Sequence, residues 1–335
     1  MRIDKRKLLG PLFTPLSRAK HSRVSRIITA VAQAPKNIFL FRMTRPFFFV
    51  DVWGRRGFGA VIVNGLLCCD YAEKNNLAPV IISSNRLYSS EPFGDCLAEY
   101  FYSSTVFQDR KNRAIRLKTL YTFFFLKFPE RISIDSANRL FHTYFKPKQN
   151  LIDEIESVLI KIEKRKFDLS IHYRGTDKAL EAPLVDFQKF TEAIRSIESE
   201  SGILNSIFLA TDDPGFDAYI RSEFSGSKFF TYNRGEPVDS SRGRHFSDLS
   251  PADKSLEALV NIFLISASPT CIRSASYLSA VSKIVNPQLV TLTMNRTHWG
   301  SIAFPECEIV AEERERSASL GAEERRRDAI TSSNN

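Results

Sequence analysis

Three short stretches hold the side chains best able to grip an anion. His172, Tyr173, Arg174, Gly175, Thr176, Asp177 and Lys178 follow the apolar run FDLSI. Thr211, Asp212 and Asp213 follow SIFLA, and Arg273, Ser274, Ala275 and Ser276 follow TCI. A guanidinium takes a phosphate through two parallel hydrogen bonds and stays charged. A serine before a helix adds a hydroxyl to the free N–H groups of the first turn. If the three runs are neighbouring parallel strands, Arg174, Lys178 and Arg273 gather on one rim with Ser274 and Ser276. Each residue also has a plainer use. An arginine at a strand end can serve a salt bridge, Asp212 can cap the helix opened by Pro214, and Ser274 or Ser276 can cap the next helix.

The elements around these stretches alternate. LIDEIESVLIKIEKRK (151–166) carries apolar residues at helical spacing and predicts an amphipathic helix. Strands are predicted over 167–173, 206–212, 228–232, 270–273 and 288–294. Helices are predicted over 186–200, 214–224, 253–268 and 276–284. Strand–helix alternation demands a parallel sheet covered on both faces. In such sheets ligands bind beyond the carboxyl ends of the strands, where the three clusters lie.

The first half opens the same way. PFFFVDV (46–52) reads as a buried strand, AVIVNGLLCCDYAEKNN (60–76) as a helix and APVII (78–82) as a second strand. Between the first strand and the helix lies WGRRGFG, with Gly54, Gly57 and Gly59. Glycines there let the backbone turn tightly and come close to a ligand at a helix N-terminus. The stretch from about 84 to 148 is rich in Phe and Tyr (YFYSSTVF, YTFFFLKF, FHTYF), which reads as core. KPKQN (146–150) marks the crossing into the second half. The expected organisation is a basic arm (1–40), a Rossmann-like domain (41–148), a second Rossmann-like domain (149–311) and a charged tail (312–335).

Charge and composition narrow the function classes. The 335 residues are 43% hydrophobic and 25% charged, which excludes a wholly disordered chain. The net charge of +9 is uneven: residues 1–26 hold eight basic and one acidic side chain, the tail 308–335 five basic and seven acidic. The arm suits an anionic membrane surface or a partner. No run approaches the roughly 20 apolar residues of a membrane span, and the start has no continuous apolar h-region. Cys68, Cys69, Cys96, Cys271 and Cys307 show no metal-ligand spacing, so reduced thiols in a cytoplasmic protein are expected. No metal site is expected, and no helix-turn-helix, zinc spacing or RNA-binding aromatic signature points to nucleic acid.

IHYRGTDK (171–178), LATDDP (209–214) and LEALVNIFLISASPTCIRSASYLS (256–279) resemble, in order and spacing, the three motifs of the α-1,6-fucosyltransferases. That family acts on rhizobial chitooligosaccharides and on the N-glycan core. GRRGFGAVIVNGLLCCDYAEKNNLAPVII (54–82) is similar to the glycine-containing opening of the family's first domain. The resemblance spans roughly residues 46–295. It implies a GT-B fold, two Rossmann-like domains with a cleft between them. It also implies GDP-fucose as donor, inversion at the anomeric carbon, and no metal or other cofactor. Carried over residue by residue, Arg174 matches the arginine on the donor β-phosphate and His172 the histidine lining the nucleotide site. Asp212 and Asp213 match the acidic pair that shapes the donor pocket, and Ser276 the serine on the diphosphate. Two positions depart. The second arginine of the core-glycan enzymes is here Gly175, and the aspartate that reads guanine is here Asn261.

The transfer itself builds charge on the leaving diphosphate, which cationic and N–H donors must stabilise in the absence of a metal. Arg174 is the first candidate, with Lys178 beside it. The acceptor hydroxyl needs a base late in the transition state. Glu181 is the candidate, nine residues after His172 and one closer than its counterpart in the core-glycan enzymes. Asp177, flanked by Arg174 and Lys178, is its rival. The expected partners are a nucleotide-sugar donor and an oligosaccharide or polysaccharide acceptor, read by the first domain and the 232–252 loop. Asn261 and Gly175 keep open another nucleotide sugar on the same fold. The basic arm keeps open a non-catalytic nucleotide- or nucleic-acid-binding protein.

Overall fold

The computed structural model describes residues 47–52, 57–89, 91, 94–102, 117–118, 132–162, 166–175, 182–235 and 246–295. The basic arm, the charged tail, Gly54, most of the aromatic stretch, Asp177, Lys178, Glu181, the middle of the 232–252 loop and Cys307 lie outside these residues. Two parallel sheets organise the rest. The first has the order β2-β1-β3, from β1 (Phe47–Asp51), β2 (Ala78–Ile82) and β3 (Leu117–Lys118). The second has the order β6-β5-β4-β7-β8. Its strands are β4 (Leu169–Tyr173), β5 (Ser206–Thr211), β6 (Lys228–Phe230), β7 (Thr270–Arg273) and β8 (Val290–Thr293). Every pairing is parallel.

The sequence explains why. β4 is buried along its whole length and β5 along all but its last residue, because helices cover both faces. The helices among the described residues are α1 (Phe58–Lys74), α2 (Cys96–Tyr100), α3 (Ile134–Tyr144), α4 (Gln149–Lys161), α5 (Phe187–Ser201), α6 (Pro214–Glu223), α7 (Pro251–Ser266) and α8 (Tyr277–Val285). Their starts carry local signals. Asp186, Asp213, Ser250 and Ser276 each cap a helix with a side-chain oxygen, and Pro214 and Pro251 follow their caps in the first turn. Helix α3 absorbs most of FHTYF, which aromatic content alone did not mark as helical.

Both sheets share one apolar core. Helix α1 is buried nearly all round, as its apolar sequence requires, and Cys68 and Cys69 are free thiols packed within it. Burial raises the pKa of both, so they behave as small apolar groups. Phe141 and Phe145 from the first half join Leu151, Phe208, Leu264 and Val281 from the second in that core. A second cluster, with Tyr173, Phe190 and Phe216, covers the other face of the larger sheet. No helix among the described residues is long and apolar enough to cross a membrane.

Candidate functional site

The larger sheet reverses its winding at β4, with β5 on one side and β7 on the other. A crevice opens at such a switch point beyond the strand ends. The register aligns those ends: Tyr173 pairs with Thr211 and His172 with Arg273. The three polar clusters therefore sit side by side, as strand alternation predicted.

Ser274 ties the switch point together. Its backbone N–H donates to the His172 carbonyl at 2.9 Å, and its Oγ accepts from the Arg174 backbone N–H at 2.9 Å. Arg174 is thus aimed by the next strand over. Its Nε lies 3.8 Å from Asp212 Oδ2, a partly exposed ion pair, while Asp212 Oδ1 accepts from the Gly175 N–H at 3.1 Å. Asp213, not Asp212, caps α6, accepting from Gly215 and Phe216.

The glycine turn meets this rim from the first sheet. A Cβ on Gly57 would stand 3.9 Å from Arg174 Nη1. A Cβ on Gly59 would stand 2.6 Å from the Tyr277 carbonyl carbon and 2.7 Å from the Leu278 nitrogen. The starts of α1 and α8 therefore touch backbone to backbone, with Arg174 two residues back, beside Gly57. Two helix N-termini and a guanidinium converge, a concentration of N–H donors and positive potential suited to a diphosphate. The Phe58 N–H donates to Tyr88 Oη at 3.0 Å, and the Tyr88 carbonyl accepts from Ser255 on α7. Tyr88 thereby fixes the glycine turn against the second half.

His172 is buried on the α8 face of the sheet, its Nδ1 3.0 Å from Ser279 Oγ. Ser276 is the cap of α8, its Oγ accepting from the Leu278 N–H, and its hydroxyl donates to no group among the described residues. Arg273 differs from expectation. It is fully buried, with Nη2 donating to the Ser276 carbonyl at 2.8 Å, so it supports the start of α8 from beneath and lines no surface. The reason is its place on the inner face in register with His172. Gly175 is also explained. A Cβ there would meet Asp213 Oδ2 at 2.5 Å and Tyr173 Cε1 at 2.6 Å, so no arginine fits beside Arg174 in this packing.

Asn261 lies on α7 behind the end of β6. Its Nδ2 donates to the Tyr232 and Glu257 carbonyls at 3.0 and 2.8 Å. That pair fixes the amide's orientation, and Oδ1 is buried without a hydrogen-bond partner among the described residues. A buried acceptor left unmatched is costly and marks a place for a donor. Beside it is a network that sequence patterns did not reveal. Arg234 donates through Nε to Asp253 and through Nη1 to Glu154 and Tyr232, and its backbone N–H donates to Glu257. Burial and the bond to Glu154 push the Tyr232 hydroxyl up to about 12, so it stays a donor. The only available signal was that Tyr232 and Arg234 stand at and just beyond the end of the strand predicted over 228–232, as the other clusters stand at theirs.

At the rim of the smaller sheet, Asp51 accepts from Ser84, and Asp95 accepts from the Ser83 and Leu97 N–H groups. Burial pushes the Asp95 carboxyl up to about 6, with Asp51 nearby adding to the shift. Among the described residues no three His, Cys, Asp or Glu side chains group as metal ligands.

The sequence matches no protein-family model and no curated protein. The structure does have counterparts. The NodZ α-1,6-fucosyltransferase soaked with GDP-fucose superposes with a TM-score of 0.53 at 16% identity, over 73% of this chain and 94% of that one. Fucosyltransferase NodZ from Bradyrhizobium gives 0.53 at 16%, over 73% and 96%. NodZ co-crystallised with GDP gives 0.52 at 15%, over 73% and 94%. The chain has the GT-B fold of these α-1,6-fucosyltransferases. The fold expected from the four motifs is thus found, with the strand ends and the glycine turn facing one another.

Proposed function

We propose that this chain is a glycosyltransferase that moves fucose from GDP-fucose to a hydroxyl of a glycan, with inversion and without a metal ion. The observation that carries the reading is the convergence of Arg174 with the N-termini of α1 and α8 at the switch point of a GT-B fold. In this reading the diphosphate occupies that convergence. Arg174 meets its charge, and Ser276 with the first-turn N–H groups supplies further donors as the C1–O bond lengthens. His172, held by Ser279, lines the nucleotide side, with Asp212 and Asp213 shaping the rim. Lys178 and Glu181 are proposed, from sequence, as the second cation and the base. The neighbours' own complexes with GDP-fucose and GDP support the choice of donor.

One observation favours a second reading, a different nucleotide sugar on the same fold. Asn261 Oδ1 is a single neutral acceptor. It suits the N1–H of guanine and equally the N3–H of uracil. Thermal shift with GDP and UDP separates the two, because a ligand bound only by the folded state raises the melting temperature. Stabilisation by GDP, followed by fucose transfer from GDP-fucose to a mixed acceptor pool read by mass spectrometry, is the expected result. Stabilisation by UDP alone would move the assignment to the second reading, and by single-stranded DNA alone would end both.

A further inference from the structure

Asp253, Glu257 and Asn261 are spaced four apart on α7 and so share one face of that helix. All three bond to the segment Tyr232–Arg234, just beyond the end of β6. Asp253 Oδ1 accepts from Arg234 Nε at 2.7 Å, and Glu257 Oε2 accepts from the Arg234 backbone N–H at 2.6 Å. Asn261 Nδ2 donates to the Tyr232 carbonyl at 3.0 Å. Glu154 on α4 completes the network. Its Oε1 accepts from the Tyr232 hydroxyl at 2.7 Å and from Arg234 Nη1 at 3.3 Å, and the same Nη1 donates to the Tyr232 hydroxyl oxygen at 3.1 Å. One guanidinium thus ties two helices to a stretch that belongs to no strand or helix.

The consequence falls on the Asn261 amide. Nδ2 has two acceptors, the carbonyls of Tyr232 and Glu257, and Oδ1 is left buried without a partner among the described residues. Turning the amide over would lose both bonds and set Oδ1 against two carbonyl oxygens. The Glu257 carbonyl is held by α7 itself. The Tyr232 carbonyl lies outside regular structure and is held through Arg234 and Glu154.

We infer that Arg234 is a positioning residue that sets the sense of the Asn261 amide, and through it selects a base presenting a ring N–H over one presenting a bare ring nitrogen. This rests on the donor reading above, in which the base lies against Asn261. Arg234 itself touches no ligand. Guanine, hypoxanthine and uracil carry the N–H. Adenine and cytosine have an acceptor at the same place, which would face the Asn261 oxygen lone pair to lone pair. A site that leaves its buried polar group unmatched rejects the wrong analogue.

Inosine diphosphate and ADP test this as a matched pair, since both lack the 2-amino group and they differ only at N1 and C6. Calorimetry of the full chain with each, and with inorganic pyrophosphate, reads base selection apart from the diphosphate site. Wild type should bind inosine diphosphate at least about tenfold more tightly than ADP. Arg234→Lys keeps a cation near Asp253 and Glu154 but loses the fork that spans both. The ratio should fall to within about threefold, with pyrophosphate affinity within about twofold of wild type. Tyr232→Phe, which removes one hydroxyl, should lower the ratio in the same direction and carries the test if Arg234→Lys does not fold. In Asn261→Asp either carboxylate oxygen can accept, so no sense is left to set, and adding Arg234→Lys should leave the ratio where Asn261→Asp puts it. A further fall in that background would overturn the role. So would a full ratio retained in Arg234→Lys, or a loss of all three ligands together. If UDP alone binds, UDP and CDP differ at the corresponding N3 and C4 and replace the pair. A wild type that binds GDP and pyrophosphate without telling inosine diphosphate from ADP would remove the selection and leave the donor reading standing. A wild type that takes up neither GDP, UDP nor pyrophosphate would sink the donor reading, and the role of Arg234 with it.

Discussion

The backbone N–H of Arg174 is held by the hydroxyl of Ser274, 100 residues later in the chain, at 2.9 Å. The residue assigned to the diphosphate is thus positioned by the strand on the far side of the switch point. The bond also restrains the Ser274 Oγ, which is almost wholly buried and accepts from Arg174.

Arg174→Lys keeps a charge but loses the fork. Transfer should fall by at least about 100-fold, or about 2.7 kcal/mol of transition-state stabilisation, with the melting temperature little changed. Steady-state kinetics beside a melting curve checks this. Near-native turnover would take Arg174 out of the mechanism.

Gly57 and Gly59 should respond differently to alanine. At Gly59 the new Cβ would lie within 2.7 Å of the Tyr277 and Leu278 backbone, so α1 and α8 must separate. A loss of about 1–3 kcal/mol in stability is expected, with weaker GDP binding. At Gly57 the Cβ would reach only ordinary contact with Arg174 Nη1. Stability should hold while the diphosphate is crowded. Equal melting temperatures for Gly59→Ala and wild type would show that the close approach of the two helices is not as described.

Asn261→Leu deletes the orphaned acceptor and both bonds to the Tyr232 and Glu257 carbonyls. GDP affinity should drop roughly tenfold or more, the worth of one buried hydrogen bond. Inorganic pyrophosphate, which has no base, should bind as before. Calorimetry with both ligands gives the comparison, and a parallel loss for pyrophosphate would place Asn261 away from the base.

Glu181→Gln should leave GDP binding nearly unchanged and lower transfer by ~10²–10⁴-fold if Glu181 takes the acceptor proton. Single-turnover transfer is the measurement. Full activity in the Gln variant would pass the role to Asp177 or Lys178.

The Asp95 carboxyl, raised to about 6 chiefly by burial, makes a pH-dependent contribution of definite sign. Between its ordinary value near 4 and about 6 the folded state holds the proton more tightly than the unfolded chain. The associated stability is present below that window and lost as pH rises through it, by at most about 3 kcal/mol. Asp95→Asn, whose Oδ1 can still accept from Ser83 and Leu97, should therefore gain on wild type between pH 4.5 and pH 7. A melting-temperature difference that does not change with pH would contradict this.

Much of the fold was readable because its signals are local. Apolar runs at strand length, helical spacing over 186–200 and 253–268, and Pro214 in a first turn specify elements without distant help, although the caps themselves fall on Asp213 and Ser250. Strand–helix alternation then forces parallel strands, which is why the polar ends at Arg174, Asp212 and Ser274 could be placed on one rim from the chain alone. What tertiary structure decided are contacts between residues far apart in sequence, where no pattern specifies the partner. Arg273 looked like a ligand arginine by its position at a strand end, but the inner face of β7 buries it under α8. The close approach of Gly59 to Tyr277, the hold of Tyr88 on the Phe58 N–H and the bridge from Asn295 to Pro183 join segments 30 to 218 residues apart. The sequence by itself determined which residues could meet a diphosphate; only the packing of α1 against α8 decided that they meet at one place, because the separation of two helix N-termini is set by contacts between distant segments and by no local pattern.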